Sequence, residues 1–232
     1  GFEEYITVNP HPGWAEQEPE DWYESFQKAL AQSLAAGGIE AKDIIGIGID
    51  ASTHNAVLLD GEMKVLRPCI MWTDQRSTKQ VDYLKRNFGE EIFQIAYQMP
   101  STTWTMPQLM WVRENDPETM KKTRHLMFTK DYLRYRLTGT WETDYVDAQG
   151  SMLLDMDKKV WSQRLCEIAS LPMSILPPLV EPTEVVGTVT RAAAMVTGLV
   201  EGTPIIAGAS DTAIEDFGVG AVKPGQCVVK MA

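Results

Sequence analysis

Apolar and polar positions along this chain follow two periods. Trp22, Phe26, Ala29, Leu30 and Leu34 fall on one face of a helix of 3.6-residue period. Gly37-Gly38 stops that helix. Ile44-Ile45-Gly46-Ile47-Gly48-Ile49 is a continuous apolar run, the pattern of a strand buried on both faces. Ala56-Val57-Leu58-Leu59 reads as a second strand, Asp60-Gly61 as a hairpin turn into Lys64-Val65-Leu66, and Pro68-Cys69-Ile70-Met71-Trp72 as a third extended run. Helical patterning then takes over at 77–87 and 106–114, in a short helix opened by Pro117, and at 130–137 before Thr138-Gly139. Residues 141–155 read as a loop with a short extended piece, and 158–170 as helix. Leu171-Pro172 and Leu176-Pro177-Pro178 break the chain. A strand at 185–189, a helix at 191–197 ended by Gly198, and a β-branched run ending in Gly208 follow. A helix-compatible segment then runs from Asp211 to Phe217, and 226–231 reads as a last strand.

Strands alternating with helices predict an α/β fold, one domain carrying a helical insertion from about 77 to 170. Of the 232 residues, 44% are hydrophobic and 23% charged, the balance of a folded soluble protein. The net charge of −11 argues against a nucleic-acid partner, which needs a basic face. No apolar run approaches membrane-spanning length, so no membrane partner is expected, and no signal peptide is visible. Cys69, Cys166 and Cys227 are odd in number and far apart. They suggest neither a disulfide framework nor a zinc site, and a reducing, cytoplasmic setting. No metal ligand set stands out. The 12 Met residues read as core filler.

Three polar clusters follow predicted strands, where open α/β sheets place ligands. Asp211 stands alone among small residues in Gly208-Ala209-Ser210-Asp211-Thr212-Ala213. It reads either as a helix N-cap or as a general base toward a hydroxyl. His54, in Asp50-Ala51-Ser52-Thr53-His54-Asn55, reads as a hydrogen-bond partner for a polyol or as a packed loop histidine. Asp74 and Arg76, beside Trp72, can take sugar hydroxyls while the ring packs on the apolar face of the sugar, or can form an internal salt bridge.

Taken together, these segments resemble the FGGY carbohydrate kinases, and among them those acting on xylulose. The likeness is carried by Gly13-Trp14-Ala15-Glu16-Gln17-Glu18-Pro19, the loop from Asp50 to Asp60, the W-x-D-x-R from Trp72 to Arg76, the L-x-W-x-x-E from Leu109 to Glu114, the K-D-Y-L-x-x-x-L-T-G from Lys130 to Gly139, and the segment from Gly208 to Gly225. The resemblance implies ATP-dependent phosphorylation of a sugar hydroxyl, most naturally on a ketopentose such as xylulose. Asp211 matches the catalytic base, and Thr53 and His54 match the sugar-contacting pair; Trp72, Asp74 and Arg76 complete the expected substrate site. ATP and Mg²⁺ are the implied cofactors. The implied fold is a ribonuclease-H-like (actin-like ATPase) domain with a mixed sheet, flanking helices and a helical insertion. Other sugar or polyol acceptors, or a non-catalytic actin-like module, are the alternatives.

Departures accompany the likeness. The family's D-x-G-T phosphate loop is not found, so residues 1–232 are expected to hold the sugar-binding lobe without its first phosphate-loop hairpin and without an ATP-binding lobe. Such a piece is expected to be inactive alone and, with an unpaired apolar edge, prone to form a homodimer or aggregate. Thr53 replaces the usual Met, Asn55 the usual Gly, Gln108 the usual Lys, and Ser210-Asp211-Thr212 the usual Gly-Asp-Asn.

Overall fold

The computed structural model describes residues 1–229. Strand β1 (Glu16–Gln17) leads into helix α1 (Pro19–Gly37), and three strands follow: β2 (Asp50–Ala51), β3 (Ala56–Leu59) and β4 (Cys69–Ile70). Helices α2 (Thr78–Ala96), α3 (Thr105–Asn115) and α4 (Pro117–Lys122) precede β5 (His125–Phe128) and α5 (Thr129–Thr138). Next come β6 (Thr143–Asp144), α6 (Tyr145–Gly150), the pair β7 (Leu154–Asp155) and β8 (Val160–Trp161), and α7 (Gln163–Ala169). The last described elements are β9 (Leu179–Val180), β10 (Val185–Thr188), α8 (Arg191–Thr197), β11 (Pro204–Ile206), β12 (Ala209–Ser210) and α9 (Asp211–Gly218).

Apolar alternation explains the centre of the molecule. Strands β3 and β5 pair antiparallel, Ala56 opposite Phe128 and Leu59 opposite His125. Leu58, Leu126 and Phe128 point to one side, into a core with Leu84 and Ile92 of α2, Leu109 and Met110 of α3, and Leu165 of α7. Val57, Leu59 and Met127 point to the other, against Trp22 of α1, Met71 and Tyr132 of α5. A third cluster joins Tyr23, Leu137, Val189 and Ile205. The paired runs 57–59 and 126–128 are buried on both faces, as their apolar sequences require.

Pairing is mixed: β2 and β12, and β6 and β9, are parallel, while the other pairs are antiparallel. It is spread over six two-stranded pairs among the described residues. The parallel pair β2–β12 matters most for function. Ile47 exchanges hydrogen bonds with Pro204 and Ile206, bringing 47–51 alongside 204–210. At Gly208 (φ 78°) the two segments approach so closely that a Cβ would lie 2.1 Å from the Ile49 carbonyl oxygen. Only glycine tolerates both the φ and the contact.

Some expectations shift. The run 44–49 is not a strand buried on both faces. It makes one isolated bridge to Ile205, and Ile45 is 92% exposed. Its second edge has no partner strand among the described residues, so half its apolar surface stays open. The doubly buried run is instead 57–59 with 126–128. The segment 77–170 contains four strands as well as helices, and one of them, β5, is the partner of β3. Residues 145–150 form helix rather than loop because Asp144 caps them, its Oδ1 accepting from the Val146 and Asp147 amides. Of the strand expected at 226–231, residues 226–229 are not extended in a sheet, and Lys230 and Met231 lie outside the described residues.

Candidate active site

Parallel pairing of β2 with β12 places two chain turns side by side at the carboxyl ends of the strands. Thr53 and His54 follow β2; Asp211 follows β12. Although 158 positions separate them, Thr53 Oγ1 donates to Asp211 Oδ1 at 3.1 Å. Ser52, Thr53, His54, Trp72, Asp211 and Thr212 line a cleft of about 220 Å³.

The two readings of Asp211 separate here. The N-cap of α9 is Ser210, whose Oγ accepts from the Ala213 amide. Asp211 is the first helical residue, half-buried, with its carboxylate turned to the cleft. Its Oδ1 accepts from Thr53 and from the Thr212 amide at 2.7 Å. Among the described residues no hydrogen bond falls on Oδ2.

His54 is 7% exposed and adopts φ 51°, a left-handed conformation that non-glycine residues seldom take. Its ring lies 4.9 Å from that of Trp104. Neither ring nitrogen makes a well-formed hydrogen bond with the protein. Burial pushes the imidazole down to about 4; the backbone at Thr103 and the Asp211 carboxylate oppose that shift without overcoming it. A neutral ring with one N–H turned toward the Thr103 backbone and one lone pair without a partner is suited to a hydroxyl group. Trp72, 49% exposed, forms the opposite rim.

Asp74 and Arg76 were expected on the sugar, and the structure does not bring them to the cleft. Both are buried and bound to each other. Arg76 Nε donates to Asp74 Oδ1 at 2.9 Å and Nη2 to Oδ2 at 2.7 Å, a bidentate pair. Asp74 also accepts from the Ala15 amide at 2.6 Å and the Arg76 amide at 2.7 Å. Arg76 Nη1 reaches Glu16, and the guanidinium lies 3.8 Å from the Trp14 ring centre and 5.0 Å from that of Trp111. These partners take up both carboxylate oxygens, so neither residue has a free group to offer. Together they clasp the loop that carries Trp72 to the Trp14 loop. Gln108 helps, its amide donating to the carbonyls of Met71 and Thr102.

A second buried network was invisible in the sequence. Lys130 Nζ pairs with Asp131 (2.6 Å), Asp144 (2.6 Å) and Asp147 (3.0 Å). Arg134 pairs with Asp131 and donates from Nη1 to the Ala207 carbonyl at 2.8 Å, four residues before Asp211. The three carboxylates lie within 4.8 Å of one another, a spacing that could hold a metal ion, but the ammonium of Lys130 sits among them and supplies the positive charge. Burial pushes Asp147 up to about 7 against the pull of Lys130, with Asp131 and Asp144 adding to the rise. Burial acts on Asp131 as well, but Lys130 and Arg134 hold it below the usual carboxylate range.

This architecture, with a carboxylate and a polar turn meeting at adjacent strand ends, is that of the actin-like ATPases, a class defined by fold rather than substrate. Within that class the assignment is narrower. Residues 2–218 match the model of the FGGY family of carbohydrate kinases, N-terminal domain. The xylulose kinase of Bacillus subtilis (strain 168) is 37% identical over 96% of this chain and 44% of its own length. The xylulose kinase of Escherichia coli (strain K12) is 33% identical over 98% of the chain and 46% of its own length. A crystal structure of a xyloylose kinase from Brucella ovis superposes with a TM-score of 0.90 at 35% identity, covering 96% of this chain and 46% of that one. The chain belongs to the FGGY family of carbohydrate kinases. It spans less than half the length of these relatives.

Proposed function

We propose that this chain forms the sugar-binding side of a kinase that transfers a phosphoryl group from ATP to a hydroxyl of a ketopentose, xylulose being the first candidate. The observation that carries this reading is the cleft in which Asp211, with one carboxylate oxygen free, and the buried neutral imidazole of His54 meet beside Thr53. The similarity to xylulose kinases supports the choice of sugar.

The chain's own groups act on the acceptor. Trp72 offers an apolar face for the carbon skeleton, and His54 a neutral donor and acceptor for hydroxyls. Thr53 holds Asp211 so that its free oxygen meets the reacting hydroxyl. Asp211 takes that proton as the hydroxyl oxygen forms its bond to phosphorus, so a developing alkoxide is never released into the cleft. ATP, accompanied by Mg²⁺, is the phosphoryl donor that a carbohydrate kinase implies. Among the described residues the family's D-x-G-T phosphate loop is not found, and the one cluster of three acids is filled by Lys130. The chemistry assigned to this chain is that of the sugar hydroxyl. The odd, dispersed cysteines fit a cytoplasmic setting.

A panel of ketoses, polyols and sugar acids, assayed for ADP release with the full-length protein and MgATP, tests the reading. Turnover is expected to be highest with a ketopentose. Absence of turnover with every acceptor would overturn it.

A further inference from the structure

His54 combines two unfavourable states, a left-handed backbone and a buried ring without well-formed hydrogen bonds. Such a residue stays in place only if its surroundings over-determine it. Three neighbours outside the catalytic turn do so. Thr105, fully buried at the start of α3, donates from Oγ1 to the His54 carbonyl at 2.5 Å. Trp104 packs on the imidazole, the two rings tilted by 57°. Gly150, the last residue of α6, lays bare backbone against the ring: a Cβ there would stand 2.7 Å from Nδ1 and 3.0 Å from Cβ and Cγ of His54. Those atoms sit at the root of the side chain, so the ring could not swing clear while the backbone kept its place.

Helix α6 is anchored on its far side. Asp144 caps it and also pairs with Lys130, and Asp147, one turn before Gly150, pairs with the same ammonium. The wall behind the imidazole is therefore fixed by buried charge rather than by a mobile loop.

We propose that Gly150 and Thr105 are positioning residues that aim the His54 imidazole at a sugar hydroxyl, Gly150 by leaving the ring its space and Thr105 by holding its backbone. The inference rests on the sugar-kinase reading of the cleft and goes beyond it, because neither residue lines the cleft and neither is marked by any local sequence signal. A side chain at position 150 pushes the His54 backbone and ring out of place together. The loss therefore falls on sugar affinity more than on the chemical step.

A double-mutant cycle tests this. Gly150→Ala, Thr105→Val, Thr105→Ser and His54→Ala, and each of the first two combined with His54→Ala, are made in the full-length protein. Sugar KM, ATP KM and kcat are measured with D-xylulose and MgATP. Gly150→Ala is expected to raise sugar KM about tenfold, the scale of one lost hydrogen bond, with ATP KM unchanged. Thr105→Val raises it several-fold and Thr105→Ser restores it. In the His54→Ala background both changes become silent, because the group they position is gone. Effects that instead add to that of His54→Ala overturn the proposal while leaving the sugar-site reading intact. No change in sugar KM on His54→Ala alone, or no turnover of any acceptor by the unmutated protein, overturns the reading and the proposal with it. If Gly150→Ala does not fold, as judged by circular dichroism, the Val and Ser variants at Thr105 decide by the same criterion.

Discussion

Two polar clusters follow neighbouring strands in this molecule and look alike as text: Thr53-His54 with Asp211, and Asp74 with Arg76. Their surroundings are opposite. Asp74 accepts four hydrogen-bonding groups from Ala15 and Arg76, and Arg76 adds Glu16 and two tryptophan rings. In the other cluster a buried imidazole has only the Thr103 backbone beside it, and a carboxylate keeps one oxygen free. Burying a polar group without a partner costs about 1–3 kcal/mol, and the cleft holds such groups side by side with a half-buried carboxylate.

The contrast breaks most sharply at Asp211. Asp211→Asn keeps the shape and removes the base, and kcat should fall about 10²–10⁴-fold while the melting temperature and sugar affinity stay near those of the unmutated protein. A near-normal kcat would return Asp211 to the scaffold. Asp74→Ala should do the reverse. Removing one member of a buried ion pair strands Arg76, and the expected loss is about 3–5 kcal/mol of folding stability, read from urea unfolding. An Asp74→Ala protein as stable as its parent but unable to hold sugar would place Asp74 in the site after all.

Protonation sharpens the comparison. The His54 imidazole is lowered from 6.5 to about 4 by burial, so the unfolded chain binds the proton more readily than the folded one. Its contribution is fully present above pH 6.5 and is lost as pH falls toward 4. Between those limits the protein should lose about 3 kcal/mol more than a His54→Gln variant does. Asp147, raised to about 7, has the opposite sign: its contribution is present below the ordinary carboxylate range and is lost as pH rises through 7. Comparison with His54→Gln over a pH series of unfolding curves isolates the histidine, and parallel curves would show that the ring is not buried in the neutral form. The smallest effect belongs to Trp72. It is half exposed, so Trp72→Ala should raise sugar KM only a few-fold and leave stability within about 0.5 kcal/mol. A large drop in melting temperature would move Trp72 from the site to the clasp.

What could be read from the chain was local. The helix carrying Trp22 and Leu34, the turn at Asp60-Gly61, the helices beginning at Pro117 and Arg191, and the stops at Gly38, Gly139 and Gly198 all lie within a few residues of their cause. Motif likeness also brought out Asp211, Thr53, His54 and Trp72, which the fold gathers around one cleft. What could not be read was pairing. Strand β5 is four residues long with His and Met in it, and nothing in His125-Leu126-Met127-Phe128 says that it will lie against Ala56–Leu59. Apolar content alone made 44–49 look like the buried strand, because a run of isoleucines does not specify whether both its edges will find partners. In the same way Asp-x-Arg does not say whether its charges face inward or outward. That was decided by Ala15, Glu16, Trp14 and Trp111, which arrive from other parts of the chain. Period, turn chemistry and capping are set by neighbours in sequence; burial, charge pairing and the company each polar group keeps are set by neighbours in space. Only the second kind of neighbour separates the histidine in the cleft from the arginine held in an ion pair.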